Sequence, residues 1–517
     1  MVKGRMHLSI RRVFSDLEPY RDRNGRYSFP VCGDIYKRLI RYMPDLEVDE
    51  DLKFHLRYLA RRQRRALELS TSEDAPGRED LYPYQRVAVA WLSAVKRGIL
   101  ADEQGLGKTV MAAVAAREAN PKRGVVICGR AKRKDWAEHI EQWTGADVTI
   151  LEGTPGQRAK LLTGWKSGYL VTTYSTACIE KSKLIKSDLV IVDECHTIRN
   201  RKNATSEMLR SLSSKAEWVF LLTASPTVNS ISDLWTLLSI CDPKRFSSYW
   251  GFVFRFCAVA DSGYGLHVGG LKNEEERVNL ENIVRPYMLT RSGMLDLPEP
   301  TYRDYPYRMT GEQEKLYDQM DQGNAATWGE QTVEALLDVS LITRLRQLAL
   351  HPGLTFPGYA GPSKLDVLPD LVREREGKVV MFTHYADLAK MAAEHLNGHD
   401  ISASYLTGGL TGNQQQEVLE NFRQGPVQVM VVTHGTGGEG LNLVEADRVV
   451  FLEQAWHPAG NKHALSRVLR HGQESDNVEI IFVRTASSVE DHINDIVLRK
   501  EEVTIEAIMA RRNNKEE

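Results

Sequence analysis

Leu100–Ala101–Asp102–Glu103–Gln104–Gly105–Leu106–Gly107–Lys108–Thr109 leaves an apolar segment and runs straight into Val110–Ala119, which is patterned as a helix. A glycine-rich turn between a strand and a helix points backbone N–H groups at a phosphate, and the helix N-terminus adds partial positive charge. From that turn the Lys108 ammonium reaches the β- and γ-phosphates, and the Thr109 hydroxyl can ligate Mg²⁺. Asp102 stands where the general phosphate-loop pattern has a glycine, so the reading needs support from elsewhere in the chain.

That support is Val190–Ile191–Val192–Asp193–Glu194–Cys195–His196, a buried-strand run that ends in two carboxylates. One carboxylate can hold Mg²⁺ and its neighbour can orient an attacking water. Beside Lys108 and Thr109, Asp193 and Glu194 are therefore catalytic candidates in nucleoside-triphosphate hydrolysis. Upstream, Leu81–Tyr82–Pro83–Tyr84–Gln85 precedes an amphipathic helix, and the Gln85 amide can both donate to and accept from an adenine edge.

Outward from the loop, strand and helix patterns alternate: Gly124–Cys128, a helix around Trp136–Trp143, Tyr169–Tyr174, the carboxylate strand, and Trp218–Leu222 ending in Thr223–Ala224–Ser225–Pro226. Strands that alternate with helices and carry chemistry at their C-terminal ends imply a doubly wound parallel sheet. The alternation lapses over residues 230–300 and 311–350, which look helical, and returns at Lys378–Phe382, Tyr405–Leu406, Val427–Val432, Arg448–Leu452 and Val478–Val483. The expected fold class is α/β, with two RecA-like doubly wound lobes at 78–245 and 361–495. A helical insertion and linker covers 246–360, a small basic α+β module covers 1–75, and a helical tail covers 496–517. The second lobe has no lysine-bearing phosphate loop, so one nucleotide should be shared between the lobes. It does have Ser466–Arg467–Val468–Leu469–Arg470–His471–Gly472–Gln473, read as a helix that puts Arg467 and Arg470 on one face, where guanidinium forks can clamp a γ-phosphate as charge builds.

The net charge of −2 gives no global sign of nucleic-acid binding, but only local patches matter to a groove. Residues 1–70 carry 16 Lys/Arg against 10 Asp/Glu, with a run at Arg61, Arg62, Arg64 and Arg65 that is read equally as a solvated face or a phosphate contact. The six cysteines show no metal or disulfide spacing. No apolar run approaches the ~18 residues of a bilayer span and Met1–Arg12 lacks a signal-peptide core. The expectation is a cytoplasmic monomer with no membrane partner.

Further along the chain stand Leu345–Arg346–Gln347 with His351–Pro352, Gly437–Gly438–Glu439–Gly440–Leu441–Asn442–Leu443 and Trp456–His457–Pro458. Together with the segments above, in this order, they make the sequence resemble the Swi/Snf-related branch of superfamily 2 helicase-like ATPases over about residues 78–495. The resemblance implies ATP and Mg²⁺ as cofactors. It implies that Gln85 reads adenine, and that Asp102, Glu103, Gln104, Gly105, Leu106, Gly107, Lys108 and Thr109 hold the phosphates. Thr109 and Asp193 would place the metal, Glu194 would position water, and Arg467, Arg470 and Gln473 would complete the nucleotide site. His196, Thr223 and Ser225 would pass the nucleotide state between the lobes.

The resemblance also implies a double-stranded or forked DNA partner, with phosphate contacts from Arg130, Lys132, Trp136, Thr173, Tyr174, His384, Thr433 and Gly437. For each of these residues a purely structural role, such as capping a helix, is an equal alternative. Gln104, Ala224, Ser225, His457, His463 and Ser466 depart from the usual family residues without removing a charged catalytic group. Residues 250–298 are similar to the compact annealing-helicase (HARP-like) group, which points to forked or branched DNA. Two other functions stay open at this point: an RNA-dependent helicase or RNA-polymerase-recycling ATPase, and a nucleotide-gated DNA-binding scaffold with little turnover.

Overall fold

Valine, isoleucine and leucine crowd the short strand segments, and β-branched residues on both faces suit strands covered by helices above and below. A computed structural model bears this out. It describes residues 61–493, apart from 63, 77–78, 131, 199, 228–229, 262–265, 292, 295–296, 438–440, 457, 471 and 492, together with a strand pair at Tyr20–Arg21 and Tyr27–Ser28. Most of the expected N-terminal module and the whole tail lie outside the described residues, as do Gly438–Gly440, His457 and His471. The chain divides into two compact units at Met294/Leu295.

In the first unit, β1 (Arg97–Leu100), β2 (Arg123–Cys128), β3 (Val148–Ile150), β4 (Gly168–Thr173), β5 (Leu189–Val192), β6 (Trp218–Leu222) and β7 (Met288–Leu289) form one sheet. Its order is β7-β1-β6-β5-β2-β4-β3 and every pair is parallel. Helices α1 (Pro83–Val95), α2 (Lys108–Ala119) and α3 (Arg133–Thr144) accompany it. The central strand β5 is fully buried from Leu189 to Val192, so its C-terminal end is a rigid platform for Asp193.

The second unit holds β8 (Thr301–Tyr307), β9 (Lys378–Thr383), β10 (Ala403–Leu406), β11 (Val429–Thr433), β12 (Ala446–Phe451) and β13 (Glu479–Thr485). These six strands, again all parallel, run in the order β8-β13-β12-β9-β11-β10. Under their C-terminal ends Lys364, 1% exposed, donates to the Leu452 and Val483 carbonyls at 3.0 Å and to both Glu490 oxygens at 2.8 Å. Among the described residues no helix is long and apolar enough to cross a membrane.

The region read as a helical insertion needs correcting. Met288–Leu289 and Thr301–Tyr307 are edge strands of the two sheets, and antiparallel ribbons form at Cys257–Asp261 with Leu266–Leu271 and at Ala325–Trp328 with Gln331–Glu334. Thr301–Tyr307 escapes sequence reading because its pattern is mostly polar and contains Pro306, which only an edge strand tolerates.

His351 supplies a pH-sensitive buried group in the second unit. It follows α4 (Asp338–Leu350), is 8% exposed, and its Nδ1 accepts from Gly353 N at 2.9 Å. Burial lowers its pKa from 6.5 to about 4. The unfolded chain therefore binds more protons between those values, and stability falls as the pH drops from 6.5 towards 4. At ~1.4 kcal/mol per pH unit the loss from this one residue is about 3 kcal/mol. His351→Asn should flatten that slope in denaturant unfolding of the second unit measured against pH. An unchanged slope would assign the acid sensitivity elsewhere.

Candidate active site

The phosphate loop lies between β1 and α2. Gly105 and Gly107 take φ of 88° and 81°, left-handed values that L side chains rarely adopt. A Cβ on Gly107 would also meet Gln85 Nε2 at 2.6 Å. That close approach has a purpose, because the Gln85 amide donates to the Leu106 carbonyl at 3.1 Å while its Oε1 accepts from Tyr82 N at 3.2 Å. Both ends of the amide thus brace the loop, and Gln85 is 7% exposed. In this conformation it supports the cradle rather than presenting a free adenine-reading edge.

Lys108 begins α2 and folds over its own loop, donating to the carbonyls of Asp102 at 2.7 Å and Glu103 at 3.0 Å. Burial lowers the pKa of its ammonium, against the opposing pull of Glu194, Asp102 and Asp193. Thr109 follows it in the first turn of the same helix. The loop therefore has the parts of a phosphate cradle: left-handed glycines, a helix N-terminus and an ammonium hydrogen-bonded to backbone carbonyls.

Asp102, which breaks the general loop pattern, is fully buried and paired with Arg291, a residue the sequence reading did not single out. Arg291 Nε donates to Asp102 Oδ1 at 3.1 Å and Nη2 donates to Oδ2, while Nη1 donates to the Tyr84 carbonyl. The fork arrives from β7, whose backbone pairs with β1. Sequence offered a signal in the arginine directly after Met288–Leu289–Thr290, but its partner lies 189 positions upstream. Glu103 is exposed, and its carboxylate accepts from Gly293 N at 3.1 Å.

At the end of β5 the carboxylate pair is held by three residues that the sequence reading placed on DNA. Trp136 is fully buried and its Nε1 donates to Asp193 Oδ2 at 2.9 Å, so it cannot touch a nucleic acid in this conformation. Its indole filled the apolar face of α3, whose other buried residues are Ala137 and Ile140. Tyr174 donates its hydroxyl to the Asp193 backbone carbonyl, and burial pushes that phenol well above its usual range, which keeps it a donor. Lys132 Nζ lies 3.2 Å from Asp193 Oδ2 and 3.8 Å from Glu194 Oε1. Thr173 takes the structural alternative: its Oγ1 accepts from Thr176 N at 3.3 Å and caps the following helix. Of the contacts proposed in this unit, Arg130 remains exposed.

Glu194 adopts φ of 52°, a left-handed conformation that costs a non-glycine residue about 1–2 kcal/mol. The backbone is held there by Asp193 N donating to the Ile127 carbonyl at 2.9 Å and Thr197 N donating to the Glu194 carbonyl at 3.2 Å. The turn aims the carboxylate at His196, with Oε2 3.3 Å from Nδ1. Nδ1 in turn lies 3.4 Å from Thr223 Oγ1, which accepts from Ser225 N at 3.0 Å. Glu194, His196, Thr223 and Ser225 therefore form one continuous polar chain across the ends of β5 and β6. The hard oxygen donors of Asp193, Glu194 and Thr109 suit Mg²⁺.

In the second unit the expected arginine-bearing helix is corrected. The helix α5 (Pro458–Leu465) stops before Arg467, and the chain continues in tight turns: Arg467 N to the Ala464 carbonyl at 3.2 Å and Val468 N to the Leu465 carbonyl at 2.9 Å. Val468, within these turns, is completely buried in the core. Arg467 is 5% exposed, and Arg470 is half-buried with Nη1 3.4 Å from the Leu441 carbonyl. Burial lowers the Arg470 pKa. Gln473 is spent on the fold, its Nε2 donating to the Ala446 and Val468 carbonyls at 3.0 and 3.2 Å and its Oε1 accepting from Ser475 N. Arg346 donates to the Gln454 carbonyl at 3.0 Å, with its guanidinium 5.1 Å from the Trp456 ring centre. Exposed His384 stacks on His434 at 4.2 Å, Thr433 is buried at the end of β11, and Gly437 closes the short turn that follows.

A model of the SNF2-related domain matches residues 84–354, and a model of the Helicase conserved C-terminal domain matches residues 363–472. The ISWI chromatin-remodeling complex ATPase ISW1 of Saccharomyces cerevisiae is 26% identical over 464 residues, covering 81% of this chain and 40% of that protein. The putative ATP-dependent helicase/translocase YwqA of Bacillus subtilis is 25% identical over 500 residues, covering 90% of this chain and 52% of that protein. A solved Sulfolobus solfataricus SWI2/SNF2 ATPase core in complex with dsDNA aligns with a TM-score of 0.39 at 21% identity, covering 80% of this chain and 90% of that one. The chain spans 40%, 35% and 49% of the first three curated relatives.

Proposed function

Because the SNF2-related model accounts for more than half of its residues, the chain belongs to that family, and from this premise we propose that it is an ATP-driven motor that tracks along double-stranded DNA. The observation that carries the reading is the union, in one unit, of the Lys108 cradle with the polar chain from Asp193 through Glu194 and His196 to Thr223.

Chemistry follows from the residues in place. Lys108 exchanges its two backbone carbonyls for phosphate oxygens. Thr109 and Asp193 would hold Mg²⁺, which when bound neutralises phosphate charge. Trp136 and Tyr174 fix Asp193 from the side-chain and main-chain sides, and Glu194 orients water. His196, Thr223 and Ser225 carry the state of that water site to the end of β6. Arg467 and Arg470 supply cationic groups from the second unit as negative charge builds on the phosphoryl group. Exposed Arg130 and His384, with Gly437, are the DNA contacts, made to the backbone rather than to bases, so affinity falls steeply with salt and discriminates little by sequence, whereas buried Thr433 serves the fold. The resemblance of residues 250–298 to the annealing-helicase group supports forked or branched DNA as the preferred substrate.

The test is steady-state ATP hydrolysis with duplex, forked and single-stranded DNA and with RNA. Stimulation by duplex or forked DNA, lost in Lys108→Ala, is the expected result. Stimulation by RNA alone would replace this reading with an RNA-dependent motor. Nucleotide-sensitive DNA binding without turnover would replace it with a scaffold.

A further inference from the structure

Asp193 and Glu194 are adjacent carboxylates of the same sign, both turned into one site, and a single ammonium spans them. Lys132 Nζ stands 3.2 Å from Asp193 Oδ2 and 3.8 Å from Glu194 Oε1. Their side chains are 21%, 6% and 21% exposed respectively, so the group is sheltered from water yet Lys132 keeps a route to it. The backbone of Lys132 is anchored, since its carbonyl accepts from Trp136 N at 3.0 Å at the start of α3. Only the four-carbon side chain needs to move for the ammonium to leave. Trp136 Nε1 stays on the same Oδ2 at 2.9 Å, so Asp193 keeps its orientation when it does.

We propose that Lys132 is a resident counter-cation of the carboxylate pair, holding the place that a divalent ion takes when nucleotide loads, so that loading is an exchange of one cation for another. The inference rests on reading Asp193 and Glu194 as the metal and water carboxylates. An ammonium is a compact point charge carrying three donors. It can balance two carboxylates and still swing to solvent, whereas it cannot share their oxygens with a second cation at contact distance because the two would repel. The arrangement has two consequences. Mg²⁺ has to displace an internal competitor, which raises the metal concentration needed for loading, and the carboxylates remain compensated when no nucleotide is present.

Mn²⁺ serves as the probe, its free fraction being read by electron paramagnetic resonance during titration of the full chain with ATP. Lys132→Gln is expected to bind Mn²⁺ about tenfold more tightly than the parent, equal to ~1.4 kcal/mol, while Lys132→Arg stays near the parent. In thermal unfolding, Lys132→Gln should melt lower than the parent in EDTA and gain more from added Mn²⁺. General damage to the site would weaken metal binding, so a gain in affinity separates exchange from a merely structural role. Asp193→Asn is the control for the premise. If it leaves Mn²⁺ affinity intact, the assignment of the metal carboxylate falls. If it abolishes binding while Lys132→Gln binds no tighter than the parent, the counter-cation is overturned and the assignment stands.

Discussion

Glu194→Gln should bind ATP as tightly as the parent and hydrolyse it roughly 10²–10⁴-fold more slowly, the range typical of losing a positioned general base. Glutamine keeps the length and shape of the side chain, so the turn at φ of 52° and the packing around it persist. What disappears is the negative charge that orients water and draws off its proton. Single-turnover hydrolysis, measured beside equilibrium binding of a fluorescent ATP analogue, separates the two quantities. Ordinary turnover in the variant would mean that another group positions the water. An equal loss of binding and turnover would make Glu194 a contact that serves ground state and transition state alike.

Arg291→Ala carries the largest expected effect on stability. Asp102 is fully exposed to no solvent, and Arg291 provides its two carboxylate bonds as well as one to the Tyr84 carbonyl. Removing the guanidinium leaves a buried charge without compensation, which costs about 3–5 kcal/mol. In a unit of this size that corresponds to a fall of roughly 10 °C in Tm, at ~2–4 °C per kcal/mol. Because Asp102 opens the phosphate loop, ATP affinity should fall with it. Asp102→Asn alone should cost a comparable amount, and the double variant should cost much less than the sum, since each single change already breaks the same pair. Additive losses in thermal unfolding would show that the two residues act independently.

The phosphate loop, the carboxylate strand and the alternation of strands with helices could all be read from the chain because each is a local pattern. Backbone periodicity, glycine placement and apolar runs report on neighbours within a few residues. The parts that escaped reading depend on contacts between distant segments. Trp136 and Tyr174 look like exposed candidates in sequence, and only the tertiary fold, with β2 lying between β4 and β5, turns them onto Asp193. Arg291 follows a strand of two residues, too short to have a period. Arg467 and Arg470 are three positions apart, as on a helix, but the helix ends at Leu465 and the chain continues in tight turns with Val468 buried, which ends that geometry.

The return of the chain to the edge of the first sheet has a mechanical meaning. The residue that grips Asp102 stands three positions before Met294, where the first unit ends and the polypeptide crosses to the second. Gly293 adds a second hold through its N–H to Glu103. The last stretch of the first unit is therefore fastened to the phosphate loop itself. Arg291 and Gly293 thus clasp Asp102 and Glu103 at two successive points just ahead of the unit boundary.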